Sequence, residues 1–323
     1  MSEKEIKGLV LEIQRMSTED GPGLRTTVFL KGCPLRCSWC HNPESISSRP
    51  RLQWIGSNCI MCGSCIDVCP YHSLTMTESS IEIDWKSCTA CGLCVNECPT
   101  NALEILGKKW TSDQLVEELL KDEAFFEESG GGITISGGEA MMQAEFVKEV
   151  FQKLKSRGIH TTLDTCGIYQ WKKMEEVLPF IDLILFDFKE SNPLLHREYT
   201  GAEREIILAN FKALMELKEK GVGPKELWIR TPAIPGATAR TANISGIAGF
   251  LRDYQDEIDR WEICAFNNLC KDKYARLGQT WKFADSPLMK KEEMDGLVRT
   301  AVEAGFDSGK VLWTGMTAQQ EKK

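Results

Sequence analysis

The sequence predicts an α/β protein, a partial barrel of about six βα units interrupted near its start by a small cysteine-rich module. Three observations carry that reading. β-rich runs alternate with helix-period segments through the later part of the chain, 11 of the 14 cysteines fall between Cys33 and Cys98, and two similar units repeat there with a period of 29 residues.

The strands are expected at 26–31, 133–136, 160–165, 183–188, 227–234 and 261–266. Between them lie helical patterns at 111–121, 143–157, 171–178, 203–220, 243–256 and 290–304, the first opened by a Thr111-x-x-Gln114 capping box. Strands alternating with helices imply a parallel sheet. Six such units fall two short of a closed eight-stranded barrel, so an open one is expected. The pattern breaks between Asn58 and Glu104, which divides the chain into residues 1–57 as the start of the barrel, 58–104 as an insert and 105–323 as the rest.

Composition narrows the function classes. The 323 residues carry 39 Lys and Arg against 47 Asp and Glu, a net charge of −8, which disfavours neutralising the phosphates of nucleic acid. No apolar run approaches the roughly 20 residues of a membrane span, and the start, residues 1–8, is polar without a signal-peptide core. A cytoplasmic protein with thiols kept reduced for metals is expected, with neither nucleic acid nor membrane as partner.

The insert reads Cys59-x2-Cys62-x2-Cys65-x3-Cys69-Pro70 and then Cys88-x2-Cys91-x2-Cys94-x3-Cys98-Pro99. This is the bacterial ferredoxin run, in which three close thiolates hold three corners of a 4Fe–4S cubane and the fourth ligates the other cluster. The ligand sets are therefore Cys59, Cys62, Cys65 and Cys98 for one cluster, and Cys88, Cys91, Cys94 and Cys69 for the second. Zinc is the alternative, but it uses two Cys-x2-Cys pairs. Asp67, Glu78, Glu82, Asp84, Glu97 and Glu104 stand against the single Lys86, leaving the insert acidic. Such a run is either a solvated face or one that orients a partner.

The group Cys33-Pro-Leu-Arg-Cys37-Ser-Trp-Cys40 offers only three thiolates. A cubane held by three cysteines leaves one iron open to a ligand, as a catalytic zinc keeps a vacant position. A degraded cluster site, or zinc completed by His41, are the competing readings. Ser136-Gly137-Gly138-Glu139, Asp164-Thr165, Asp187-Phe188-Lys189, Arg230 and Asn267 all fall at the C-terminal ends of expected strands, the rim where barrels build active sites. Each could singly be a cap or a buried ion-pair partner. Gly137 and Gly138 would let a backbone edge with free amide and carbonyl groups approach a ligand. Cys166, Cys264 and Cys270 are left over and read as small buried hydrophobes.

Cys-x3-Cys-x2-Cys with an aromatic residue before the last cysteine resembles the radical S-adenosylmethionine (SAM) signature. Glu19-Asp20-Gly21-Pro22-Gly23-Leu24-Arg25-Thr26, Phe29-Leu30-Lys31-Gly32-Cys33 and Cys40-His41-Asn42-Pro43 resemble the glycyl radical enzyme activating enzymes, and the insert directly after them resembles their larger subgroup, pyruvate formate-lyase activating enzyme-like. The resemblance runs from about Val10 to Gly278. It implies three 4Fe–4S clusters, the one at Cys33, Cys37 and Cys40 chelating SAM. It places Gly137, Gly138 and Glu139 at the SAM amino group, and Asp164, Thr165, Asp187 and Lys189 among the residues positioning SAM, with a monovalent cation near Asp164 and Asp187. Arg230 and Asn267 join them as cofactor-binding candidates.

The partner implied is a glycyl radical enzyme whose glycine loop is the substrate, with a ferredoxin or flavodoxin as electron donor. Two departures stand out: Ala140 replaces the usual Pro after Gly-Gly-Glu, and Phe266-Asn267-Asn268 stands where many relatives carry a His. Two rival functions are a radical SAM enzyme acting on a small molecule and a ferredoxin-type electron carrier on an inert barrel. The second predicts no SAM binding and leaves the Cys33 triplet unexplained.

Overall fold

The computed structural model describes residues 5–318; residues 1–4 and 319–323, which hold the start of the polar N-terminal stretch, lie outside the described residues. The chain opens with β1 (Lys7–Ser17) and β2 (Arg25–Leu30), then passes through four short strands, β3 (Arg51–Trp54), β4 (Leu74–Met76), β5 (Ile81–Ile83) and β6 (Leu103–Leu106). After β7 (Lys108–Thr111) come β8 (Gly132–Gly137), β9 (His160–Thr165), β10 (Leu183–Asp187), β11 (Glu226–Ala233), β12 (Arg260–Ala265) and β13 (Val311–Thr314). The main sheet runs β13-β12-β11-β10-β9-β8-β2-β1-β7.

From β2 through β8 to β13 every pairing is parallel, as alternating βα units require. The six expected strands are β2 and β8 to β12, each within two residues of its expected bounds. The sheet then extends past them on both sides. β13, only four residues long, adds a parallel strand beside β12, and β1 lies antiparallel to both β2 and β7. The sheet is an open partial barrel, wider than six strands.

The helices form where the 3.6-residue period placed them, for instance Ala144–Lys155, Trp171–Val177 and Lys291–Glu303. The capping box is present: Thr111 Oγ1 accepts from the Gln114 amide and the Gln114 side chain accepts from the Thr111 amide, each at 3.1 Å. The helix expected over 243–256 stops at Leu251 and tightens into a 3-10 stretch, Arg252–Glu257. Pro193–Thr200 is an unexpected helix. Its proline sits in the first turn, where the missing N–H costs nothing, and Asn192 accepts from the Leu194 and Leu195 amides.

The barrel's main core and the insert's core are separate. The large one fills the space between sheet and helices around Val28, Ile135, Leu163, Phe186, Ile229 and Trp261. The insert has its own, Leu52, Leu74, Ile81, Ile83 and Leu103 packed with Cys65 and Cys94. Because β3 pairs with β6, this packed unit takes in Arg51–Trp54, ahead of the boundary at 58 that cysteine spacing suggests. A fully buried Arg25 ties the lower ends of β2, β8 and β9, donating to Thr134 Oγ1, the Ile133 carbonyl and Thr162 Oγ1 at 2.7–2.8 Å. Burial pushes it down to about 10, so the guanidinium stays charged at neutral pH with its donors satisfied.

Candidate active site

The loop carrying Cys33, Cys37 and Cys40 leaves the end of β2 and is pinned from several directions. Gly32 and Cys33 donate their amides to the Ser45 and Ile46 carbonyls, and Arg36 and Ser38 donate theirs to the Thr200 and Tyr199 carbonyls. A segment near the C-terminus straps the loop from above: Tyr274 Oη donates to the Cys40 carbonyl at 2.9 Å, and Lys273 reaches both Asn42 Oδ1 and Glu44. His41 is packed between Phe266 and Trp281, with its Nε2 buried and unpartnered.

The three thiols face one cavity of about 1900 Å³, mouth included, at the C-terminal end of the sheet. Ser136, Gly137, Gly138, Asp164, Thr165, Asp187, Lys189, Arg230 and Asn267 line the same cavity, so all but one of the cofactor-binding candidates meet there. Burial pushes the Cys37 thiol up to about 11 and raises Cys40 further. Bare thiols thus resist ionisation in this pocket, and cationic iron is the kind of partner that would hold them as thiolates.

Glu139 is the exception. Its carboxylate sits behind the cavity wall, 1 % exposed, accepting from Thr165 Oγ1 at 2.9 Å, the Cys166 amide at 2.7 Å and the Met141 amide at 3.0 Å. Burial raises its pKa, outweighing those three hydrogen bonds. Here it clamps the end of β9 to the end of β8. The glycines also differ from expectation: the Gly138 and Glu139 amides are already given to the Leu30 and Gly32 carbonyls. A Cβ on Gly138 would lie 2.1 Å from the Gly32 oxygen, so glycine is required first for close approach to the cysteine loop.

Electrostatics cluster on β9, β10 and β11. Asp164 accepts from Ser136 Oγ at 2.5 Å, and burial together with Asp187 pushes it up to about 7. Asp187 pairs with Lys189, whose pKa burial alone would lower; the Asp187 carboxylate, with Cys37, outweighs that and keeps it raised. Arg230 lies 3.7 Å from both Asp20 and Glu262. Asn267 Oδ1 accepts from the Leu269 amide and caps the turn after β12.

Cys166 and Cys270 are buried, as small hydrophobes would be. Cys166 is hydrogen-bonded through its side chain to Cys33, which lowers the Cys33 pKa and raises its own. Cys264 faces the cavity beside Arg230. Asp20, which accepts from Ser17 and Thr27 hydroxyls at 2.7 Å, also lines the cavity. Its place after Glu19 and before Gly-Pro-Gly was the available signal.

In the insert, Cys59, Cys62, Cys65 and Cys98 surround one cavity of about 340 Å³, and Cys69, Cys88, Cys91 and Cys94 a second of about 310 Å³. These are the crossed sets that the spacing predicts. Backbone amides of Ser73 and Ala102 point at the Cys69 and Cys98 sulfurs at 3.4 and 3.2 Å, which suits thiolates. Left-handed backbone recurs at the repeat: Met61 and Ala90, Gly63 and Gly92, His72 and Asn101 all have positive φ. Among the described residues no three His, Cys, Asp or Glu converge on a single ion's position. A cubane asks for a wider arrangement, since each thiolate bonds its own iron.

Comparison with known proteins fits this geometry. Residues 19–207 match the family model described as "4Fe-4S single cluster domain". The chain is 38 % identical over 281 residues to the (2S)-3-sulfopropanediol dehydratase activating enzyme of Klebsiella oxytoca, covering 85 % of this chain and 87 % of that one. It is 37 % identical over 303 residues to the trans-4-hydroxy-L-proline dehydratase activating enzyme of Clostridioides difficile, covering 93 % and 98 %. The chain belongs to the glycyl radical enzyme activating enzymes.

A radical SAM methyltransferase from Sphaerobacter thermophilus shares the fold, with a TM-score of 0.53 at 12 % identity over 94 % of this chain and 76 % of that one. As a member of its family, this activating enzyme is a radical SAM oxidoreductase that uses an iron–sulfur cluster and SAM and acts on a glycyl radical enzyme. Among the described residues no helix is long and apolar enough to cross a membrane.

Proposed function

We propose that Cys33, Cys37 and Cys40 hold the cluster at which SAM is cleaved, in the cavity at the C-terminal end of the sheet. When bound, a 4Fe–4S cluster with one iron free of cysteine supplies one electron to SAM, giving methionine and a 5′-deoxyadenosyl radical that takes the Cα hydrogen of the partner's glycine as 5′-deoxyadenosine. The chain's own residues orient and shield. Gly137 and Gly138 keep the end of β8 against the cysteine loop, and Glu139 fixes Thr165 and Cys166 from behind.

Lys189 holds a positive charge where the SAM carboxylate is to be bound, and Asp164, Thr165 and Asp187 offer oxygens to a monovalent cation. A cation there would let Asp164 ionise beside Asp187. Arg230 and Asn267 complete the rim. The open sheet leaves room for a glycine loop to enter beside Asp20 and Arg230.

The insert is proposed to carry two further clusters, on Cys59, Cys62, Cys65 and Cys98 and on Cys69, Cys88, Cys91 and Cys94, that pass electrons from a ferredoxin or flavodoxin in a reducing, cytoplasmic setting. The observation that carries the whole reading is the convergence of three thiols with the rim residues of five strands in one cavity. The test is anaerobic reconstitution with iron and sulfide, reduction, addition of SAM and assay of 5′-deoxyadenosine, with Cys37→Ala beside the parent. Roughly twelve irons and product that depends on Cys37 support it. Eight irons with no cleavage would reduce the protein to an electron carrier. Replacing Cys62 with Ser tests the relay, since unchanged activation with a protein donor would make the insert structural.

A further inference from the structure

On the far side of the cysteine loop from the active-site cavity lies a second opening, a groove of about 1440 Å³. Cys33 and Cys37 line both, so the loop is a partition between them. Four cations edge the groove: Arg36, Arg49 and Lys282, all exposed, and the half-buried Arg51. Arg51 and Lys282 lie over the rings of Trp85 and Tyr199, and among the described residues none of the four has a carboxylate partner. The Arg51 Nε is buried with no acceptor at all. Lys273, on the same C-terminal segment as Lys282, is by contrast neutralised by Glu44 at 2.8 Å.

In a chain of net charge −8, four unpaired cations beside the cluster loop form a local positive field that an acidic surface would seek. The insert offers the opposite. Asp67, Glu78, Glu82, Asp84 and Glu97 are all exposed there, so an acidic carrier that feeds the insert's clusters is steered away from those carboxylates and toward the groove beside Trp85. The reaction needs one electron per SAM from outside, delivered without blocking the mouth where SAM and the glycine loop meet.

We propose that this groove is the docking surface for an acidic one-electron carrier protein, a seat bordering the cysteine loop at Cys33 and Cys37 and the insert at Trp85. The proposal rests on the cluster assignment above. In the transfer itself the carrier is oxidised by one electron and the activating enzyme reduced by one, with no bond made or broken at the groove. A donor on one face of the loop and a substrate loop on the other can be present together.

The experiment uses the reconstituted full chain and Arg49→Glu/Lys282→Glu, which alters two exposed side chains outside the cysteine loop and the cavity. Reduction is followed by stopped flow with an acidic flavodoxin hydroquinone and, separately, with reduced methyl viologen, a small cation that needs no protein docking. The expected result is a fall of about ten-fold or more with flavodoxin at low salt, loss of its steep salt dependence, and an unchanged rate with viologen. A flavodoxin rate and salt slope equal to the parent's overturn the proposal.

So does a larger effect from Glu82→Lys/Asp84→Lys than from the groove variant, since the carrier would then dock on the insert. If the double variant is slow with both reductants, Lys282→Ala and Arg49→Gln decide on the same ratio of rates. Absence of 5′-deoxyadenosine with viologen in every variant would sink the cluster assignment instead, while the reduction rates would still report on docking.

Discussion

The insert and the barrel mouth are both built around cysteine, yet they are specified in opposite ways. In the insert each group of three cysteines lies within seven residues, the fourth comes from the sister unit, and paired left-handed residues such as Met61 and Ala90 repeat the same turn. In the mouth three cysteines are local, but the rest of the cavity is gathered from strands and loops between Gln14 and Met316. Local spacing suffices to describe a closed site. A site that must admit a cofactor and a foreign loop depends on long-range assembly.

Substitutions can sharpen that contrast. The largest effect is expected from Cys37→Ala: 5′-deoxyadenosine should fall to background while about eight of about twelve irons remain, as read by product assay and iron analysis. Loss of the insert's irons as well would show that the two regions are not independent. Next comes Glu139→Gln, which sets an amide N–H₂ against donors that now meet a carboxylate. It should cost about 1–3 kcal/mol in thermal or denaturant unfolding and weaken SAM binding, although Glu139 stays out of the cavity. Unaltered SAM affinity would mean that the clamp on β9 does not shape the mouth.

A pH series separates the regions more finely. The Asp164 pKa rises on folding from 3.8 to about 7, so the cofactor-free protein takes up a proton there, and this group's stabilising contribution is lost as pH climbs through that window. His160 acts the other way. Burial, then Arg25, lowers it from 6.5 to about 4, so its cost appears as pH falls below 6.5. The difference between parent and Asp164→Asn therefore isolates the aspartate, and the variant's stability should gain on the parent's as pH rises from 4 to 7. A flat difference would remove the case for a cation beside Asp187. The smallest effect is expected in the insert: Ala90→Gly relieves a left-handed Ala and should add roughly 1 kcal/mol to holo-protein stability.

Much of this was legible from residues alone. The six parallel strands, the capped helix at Thr111 and both crossed cysteine sets follow from periodicity and spacing, because each depends on neighbours in sequence. β13 was not, since four residues, Val-Leu-Trp-Thr, carry no distinctive pattern until β12 offers them an edge. Pro193 opens a helix of eight residues that no expected helical pattern covered. Glu139 entered as a SAM-binding candidate through the resemblance of its Gly-Gly-Glu segment. Only the folded chain shows that Thr165 and Cys166 turn its carboxylate inward. Cys166 gave no signal of its contact with Cys33, which is made across 133 positions.

The strap over the cysteine loop bears on how the protein is made. Cys33, Cys37 and Cys40 leave the ribosome early, but Tyr274 and Trp281, which hold the Cys40 carbonyl and cover His41, follow more than 230 positions later. The insert packs on a core of its own within Leu52 to Leu103 and has what it needs as soon as that stretch emerges. Translation thus delivers the whole core of the insert before the segment that covers the cysteine loop.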